Sequence, residues 1–229
     1  MKLSITKRVK EYYEEFTVCY FEGGKERKKT GVHGKKLLSS LARARREIID
    51  IIRLNLTVDS CLLTLTYKEN VQDYERVRKD FDKFVKRIKY NFNFVLKYLR
   101  VIELQKRGAI HFHVVIFNPE FVSIPYNEIY KLWGYGAVHI RRIEVLDDVT
   151  ADRIGGYLGK YLTKSKEIAP NKKIYTTSRN IKRLEKQRIV IEDVEQSALF
   201  LERLTSVSNA IIYIEGSNKL VKFVKAKNF

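Results

Sequence analysis

Apolar positions between residues 61 and 145 change period several times. The runs CLLTLTY (61–67), VLKYLRVIELQ (95–105), AIHFHVVIF (109–117) and AVHIRRIEV (137–145) are short, β-branched or aromatic, and partly alternating, which predicts strands. Between the first two lies YERVRKDFDKFVKRIKY (74–90), where Val77, Phe81, Phe84, Val85 and Ile88 recur on one helical face. PYNEIYKLW (125–133) opens on Pro and stops at Gly134, the marks of a short helix. TADRIGGYLGKYLTK (150–164) reads as a further helix capped by Thr150 or Asp148. The order β-α-β-β-α-β, then a helix, predicts an α+β fold of the ferredoxin-like, split βαβ kind. Its antiparallel sheet carries helices packed on one face and leaves the other for function.

The flanks are less regular. YYEEFTVCYF (12–21) is strand-like, EGGKERKKTG (22–31) a basic turn, and KLLSSLARARREIIDIIRLN (36–55) an amphipathic helix loaded with Arg43, Arg45 and Arg46. Near the end SALFLERL (197–204) looks helical and AIIYIEGSNKLVKFVKA (210–226) looks like a hairpin. The expected division is 1–56, a hairpin and basic helix within the same domain; 57–183, the core; and 184–229, a helix and hairpin extension.

Charge narrows the class of partner. Lys and Arg number 45 against 27 Asp and Glu, a formal net charge of +18 in 229 residues. Such an excess points to a polyanion, nucleic acid or an anionic membrane. No apolar run reaches the length of a spanning helix, and no basic-then-apolar signal segment opens the chain, so a membrane is not expected. Cys19 and Cys61 both sit in apolar strand-like runs and read as buried thiols in a reducing compartment.

One strand carries two of the four histidines. His111 and His113 lie one residue apart and therefore share a face, with Phe112 and Val114 on the other. Two imidazoles there could be a metal site, a polar core pair or an accident. The loop KRG (106–108) bears on the choice: a three-residue hairpin loop ending in a left-handed Gly pairs Gln105 with Ala109 and Glu103 with His111. Glu103, His111 and His113 then form one cluster, with Gln105 beside it, whereas a loop of two or four residues would put Glu103 on the far face. Two neutral imidazoles and a carboxylate suit a divalent cation such as Mn²⁺, Zn²⁺ or Ni²⁺, with Mg²⁺ possible where abundant.

A second constellation lies in residues 155–164, GGYLGKYLTK. Tyr157 and Tyr161 fall on one helical stripe, with Lys164 on the same side and Lys160 flanking. Gly155, Gly156 and Gly159 each cost about 1 kcal/mol against Ala in a helix, so something must come close to this backbone, a strand or a ligand chain. A metal would orient a phosphate for in-line attack, and the lysines would favour a phenolate and offset developing charge. Together these features describe transesterification at a nucleic-acid phosphate.

Several segments, in order, resemble the HUH endonucleases, and among them the rolling-circle replication initiators of small phages and plasmids. LLTLTYKEN (62–70) is similar to the family's first motif, VIELQKRGAIHFHVVIF (101–117) to its metal-binding motif and YLGKYLTK (157–164) to the tyrosine motif of two-tyrosine members. SLARARREIIDIIRLN (40–55) and TSRNIKR (177–183) are similar to flanking segments of phage-type initiators. The resemblance implies His111, His113 and Glu103 as ligands of Mn²⁺ or Mg²⁺. It implies Tyr157 or Tyr161 as nucleophile, assisted by Lys160 and Lys164, on single-stranded or hairpin origin DNA. The products are a 5′-phosphotyrosine link and a free 3′-OH, and the second tyrosine acts in rejoining. Arg43, Arg46, Arg141 and Arg142 are the expected DNA contacts. No G-x-x-x-x-G-K-[ST] phosphate loop occurs, so helicase and polymerase would come from the host, in whose cytoplasm the protein would work. A transposase or mobilisation relaxase of the same superfamily shares the chemistry. A non-catalytic or RNA-processing module on the same fold would leave the tyrosines without a purpose.

Overall fold

The computed structural model describes residues 2–9, 13–21, 33–105, 108–144, 148–168, 174–191, 195–196, 199–200, 202 and 220–226. Two compact units emerge: Met1–Val32 with Leu184–Phe229, and His33–Arg183.

The larger unit holds the sheet foreseen above. Its strands are β3 (Cys61–Leu65), β4 (Tyr98–Leu104), β5 (Ile110–Ile116), β6 (Val138–Arg142) and β7 (Tyr175–Thr177), in the order β6-β3-β5-β4-β7 with every neighbour antiparallel. The first four give the split βαβ arrangement, with α2 (Tyr74–Phe92) and α3 (Tyr126–Trp133) as the crossovers. Asp73 caps α2 by accepting from the backbone N–H groups of Glu75 and Arg76, and Asn93, at φ 52°, ends it. Gly134, at φ 69°, ends α3 where the sequence indicates. Both helices pack on the Phe112 face of β5: Phe81 and Trp133 lie 5.3 and 5.9 Å from the Phe112 ring. Burial of such side chains, each contributing about 1.5–3 kcal/mol, holds this layer together.

The other face is not left bare. Helix α4 (Asp148–Ile168) lies against β4 on the histidine side, and α1 (His33–Asn55) packs on α4. Helices α2 and α3 satisfy the expectation of one covered face, and α4 shields part of the second. Thr150 falls inside the first turn of α4 rather than at its cap. Strand β7 is an addition that the hydrophobic pattern does not announce. The segment after it is tied to α1: the Asn55 side chain donates to the Lys182 carbonyl at 2.8 Å and accepts from the Lys182 N–H at 2.9 Å. The Tyr175 hydroxyl donates to Glu47 at 3.0 Å.

The smaller unit is a four-stranded antiparallel sheet, β8-β1-β2-β9, from β1 (Lys2–Val9), β2 (Tyr13–Phe21), β8 (Lys186–Ile191) and β9 (Leu220–Ala226). Strand 12–21 was expected; β1 and β8 were not. The division differs from the expected one at 56. The basic helix belongs with the core because its apolar stripe, Ile48, Ile51 and Ile52, is buried there, while the two ends of the chain pair with each other. The basic turn at 22–31, most of the helix at 197–204 and the first half of the hairpin at 210–226 lie outside the described residues.

Candidate active site

The hairpin between β4 and β5 sets the register on which the site depends. Gly108 is left-handed at φ 84°, the Gln105 N–H donates to the Ala109 carbonyl at 2.9 Å, and Glu103 stands opposite His111. Glu103, His111 and His113 thus share a face, as the three-residue loop requires. The side chains make a diagonal contact: Glu103 Oε2 lies 2.8 Å from His113 Nε2. His111 Nδ1 lies 3.2 Å from the Gln105 amide nitrogen. Both histidines are buried. Burial lowers the pKa of His113 below the ordinary imidazole value, while its bond to Glu103 pulls the other way.

Helix α4 sets both tyrosines over His113. The Tyr161 ring stacks on the imidazole, centroids 4.0 Å apart and planes within 8°. Tyr157 meets it edge-on at 5.6 Å, with its hydroxyl 3.4 Å from His113 Nδ1. The tyrosine rings are perpendicular to each other at 5.0 Å. Tyr157 is 38 % exposed, whereas Tyr161 is half-buried. The Tyr161 hydroxyl is pushed well above the usual phenol range, first by burial, then by its hydrogen bond to Tyr157 and by the Glu103 charge. The expected easing toward a phenolate by lysine is not met at Tyr161: Lys160 is exposed, and the Lys164 side chain lies outside the described residues.

The three glycines of α4 have a reason that the sequence states only in part. What approaches this backbone is a helix, not a strand or a ligand chain. A methyl at Gly155 would fall on Ile49 Cγ1, and one at Gly159 would lie 3.2 Å from Arg45 Cδ. The glycines let α1 close on the back of α4, whose front carries the tyrosines.

Among the described residues no group of three His, Cys, Asp or Glu side chains is arranged to hold a metal ion. Glu103 instead engages His113 directly, and His111 engages Gln105. The donor chemistry nonetheless suits a divalent cation: two imidazoles and a carboxylate on one sheet face, with one imidazole favoured in its neutral form. For His111 to offer Nε2, its Nδ1 must carry the proton and donate to the Gln105 amide oxygen, the isosteric orientation of that amide.

A cleft of about 490 Å³ opens beside His113 and Tyr157 and runs between β6 and the start of α4. Arg141 and Arg142 line it. Arg43 and Arg46 are exposed on α1 and are not part of this lining. Thr64, His139 and Arg153 also line the cleft and were not foreseen. The alternation in CLLTL holds a signal for Thr64, because Leu63 and Leu65 are buried and Thr64 faces the other way. His139 has no such signal: it joins the site only because β6 pairs with β3 and sets it opposite Thr64.

Residues 60–166 match the family model of the replication-associated protein ORF2. The matched span contains Glu103, His111, His113, Tyr157 and Tyr161, and the match supports a role in replication initiation. No curated protein and no solved structure gives a significant match to the chain.

Proposed function

We propose that this protein is a replication-initiator endonuclease that cuts single-stranded or hairpin origin DNA and rejoins it through its tyrosines. One observation carries the reading: an exposed tyrosine hydroxyl lies 3.4 Å from a buried histidine that is itself bonded to a carboxylate, within a span similar to replication-associated proteins. The Tyr157 oxygen attacks the scissile phosphorus, forms a 5′-phosphotyrosine ester and gives up its proton. The P–O3′ bond breaks and the departing 3′ oxygen takes a proton, leaving a 3′-OH that primes synthesis. His113 Nδ1, facing the Tyr157 hydroxyl, is placed to receive that proton. Glu103, His111 and His113 would hold Mn²⁺ or Mg²⁺, which when bound polarises the phosphate oxygens. Tyr161 serves the second transfer, in which the displaced strand is closed. Unwinding and synthesis then fall to a host helicase and polymerase, in the host cytoplasm. The same chemistry would serve a transposase or relaxase; the replication-associated match favours the initiator.

The test is direct. Incubation with single-stranded origin DNA and Mn²⁺ is expected to give a protein–DNA adduct that survives boiling in detergent and maps to a tyrosine of α4 by mass spectrometry. No adduct with any single-stranded or hairpin DNA of the parent replicon would overturn the reading. The cation has its own readout, since calorimetric Mn²⁺ binding should be lost in the His111→Ala/His113→Ala variant. Equal affinity in that variant and the wild type would remove these residues as ligands.

A further inference from the structure

We propose that the cleft between β6 and the first turns of α4 is a pocket for one unpaired nucleotide, next to the phosphate that the tyrosines attack. The inference rests on the endonuclease reading and adds the direction in which the strand leaves the site.

Strand register lays out the floor. Thr64 stands opposite His113 on one side and His139 on the other, so the three form a row across β5, β3 and β6. In the next row on the same face Leu62 stands opposite Arg141. Arg153 and Ile154, from α4, line the cleft together with Tyr157. The lining is therefore neutral and aromatic at the tyrosine end and cationic further out.

A volume of about 490 Å³ falls in the range of sites for single small ligands, about 300–1,000 Å³. That is room for one nucleotide unit but not for a duplex. Among the described residues neither Arg141 nor Arg153 has a carboxylate partner, whereas Arg142 stands 3.9 Å from Asp59. Arg141 and Arg153 are thus available to a phosphate. Glu144, also in the lining, would be out of place in a purely anionic site. A carboxylate there accepts from an exocyclic amino group, as on cytosine. The half-exposed Tyr157 ring offers a stacking surface. Toward β4 the floor is covered, because α4 packs on that strand and Tyr161 lies flat on His113. A strand whose phosphate sits at Tyr157 therefore continues over β3 and β6.

The pocket is tested by binding without chemistry, in EDTA, by fluorescence anisotropy. The probes are homo-oligomers of deoxycytidine and of deoxythymidine, and an abasic deoxyribose-phosphate chain, each about twelve units long to span one single-strand site. Wild type should bind oligodeoxycytidine at least about fivefold tighter than the abasic chain, the lower end of one stacking contact, and tighter than oligodeoxythymidine. His139→Ala and Arg153→Ala should lower affinity toward that of the abasic chain, with Arg153→Lys keeping the affinity for phosphate. Glu144→Ala should equalise the two bases. Unchanged thermal melting would show that the variants fold. Equal binding of the abasic chain and oligodeoxycytidine by the wild type, or unaltered affinity in both His139→Ala and Arg153→Ala, would overturn the pocket. Covalent adducts in Mn²⁺ without base preference overturn the pocket alone. Base preference without adducts overturns the endonuclease reading and leaves the pocket standing.

Discussion

Tyr157 and Tyr161 differ in their surroundings although they share a helical stripe. Tyr161 is stacked, half-buried and pushed to a high pKa, while Tyr157 is exposed with its hydroxyl on His113. Tyr157→Phe should therefore abolish the first covalent adduct, and Tyr161→Phe should leave one nick and block strand joining. Gel assays of nicking and of circle formation separate the two steps. The reverse assignment would show up as a nicking-dead Tyr161→Phe. Another residue-scale expectation concerns Cys61, fully buried on β3, whose thiol burial pushes up to about 12 despite the opposing charge of Arg142. A raised value means that almost no thiolate exists at neutral to mildly basic pH, and the thiolate is the reactive form. In a Cys19→Ser variant, native protein should resist iodoacetamide at mildly basic pH, and guanidinium-unfolded protein should label quickly. Rapid native labelling would contradict the burial.

At the scale of elements, the α1–α4 crossing determines how the tyrosine helix sits. Gly155 is the tight point: an added methyl meets Ile49, whose Cα lies 3.5 Å from it. Overpacking of this kind costs about 1–3 kcal/mol, which outweighs the gain of about 1 kcal/mol in helix propensity. Gly155→Ala should lower the denaturation midpoint, and Ile49→Ala in the same chain should restore part of the loss. At Gly159 the nearest atoms belong to the flexible Arg45 side chain, so Gly159→Ala should be neutral or stabilising. Urea unfolding of the four variants gives the comparison. Equal losses at Gly155 and Gly159 would mean that the crossing does not discriminate between them.

For the whole molecule the dominant physical fact is a net charge of +18. Binding to single-stranded DNA should fall steeply with salt, because each neutralised phosphate releases a counterion. If Arg141 and Arg142 each neutralise one phosphate, replacing both by Ala should reduce the log–log salt slope by about 1.4, from about 0.7 per phosphate on a single strand. Anisotropy titrations at several salt concentrations measure it, and an unchanged slope would remove both residues as phosphate contacts. Among the described residues no helix is long and apolar enough to cross a membrane.

Local periodicity alone determined the five-element heart of the protein after β3 and the shared face of Glu103, His111 and His113. The reason is that a strand's two-residue period and a left-handed Gly108 fix register within a few residues. Local signals also place Tyr157 and Tyr161 on one stripe, since helical geometry needs no partner. Strands β1, β7 and β8 escaped that reading because each is defined by a neighbour distant in sequence: β1 by β8, β7 by β4. The same limit explains His139, which reaches the site only through the pairing of β6 with β3. It also explains the glycines of α4, whose close neighbour is a helix more than a hundred residues earlier. Sequence spacing governs what lies one turn or one strand away. Which face is covered, which tyrosine stacks on His113 and which is exposed were decided only when α4 packed against β4 and α1, because burial there is the sum of contacts that no local window contains.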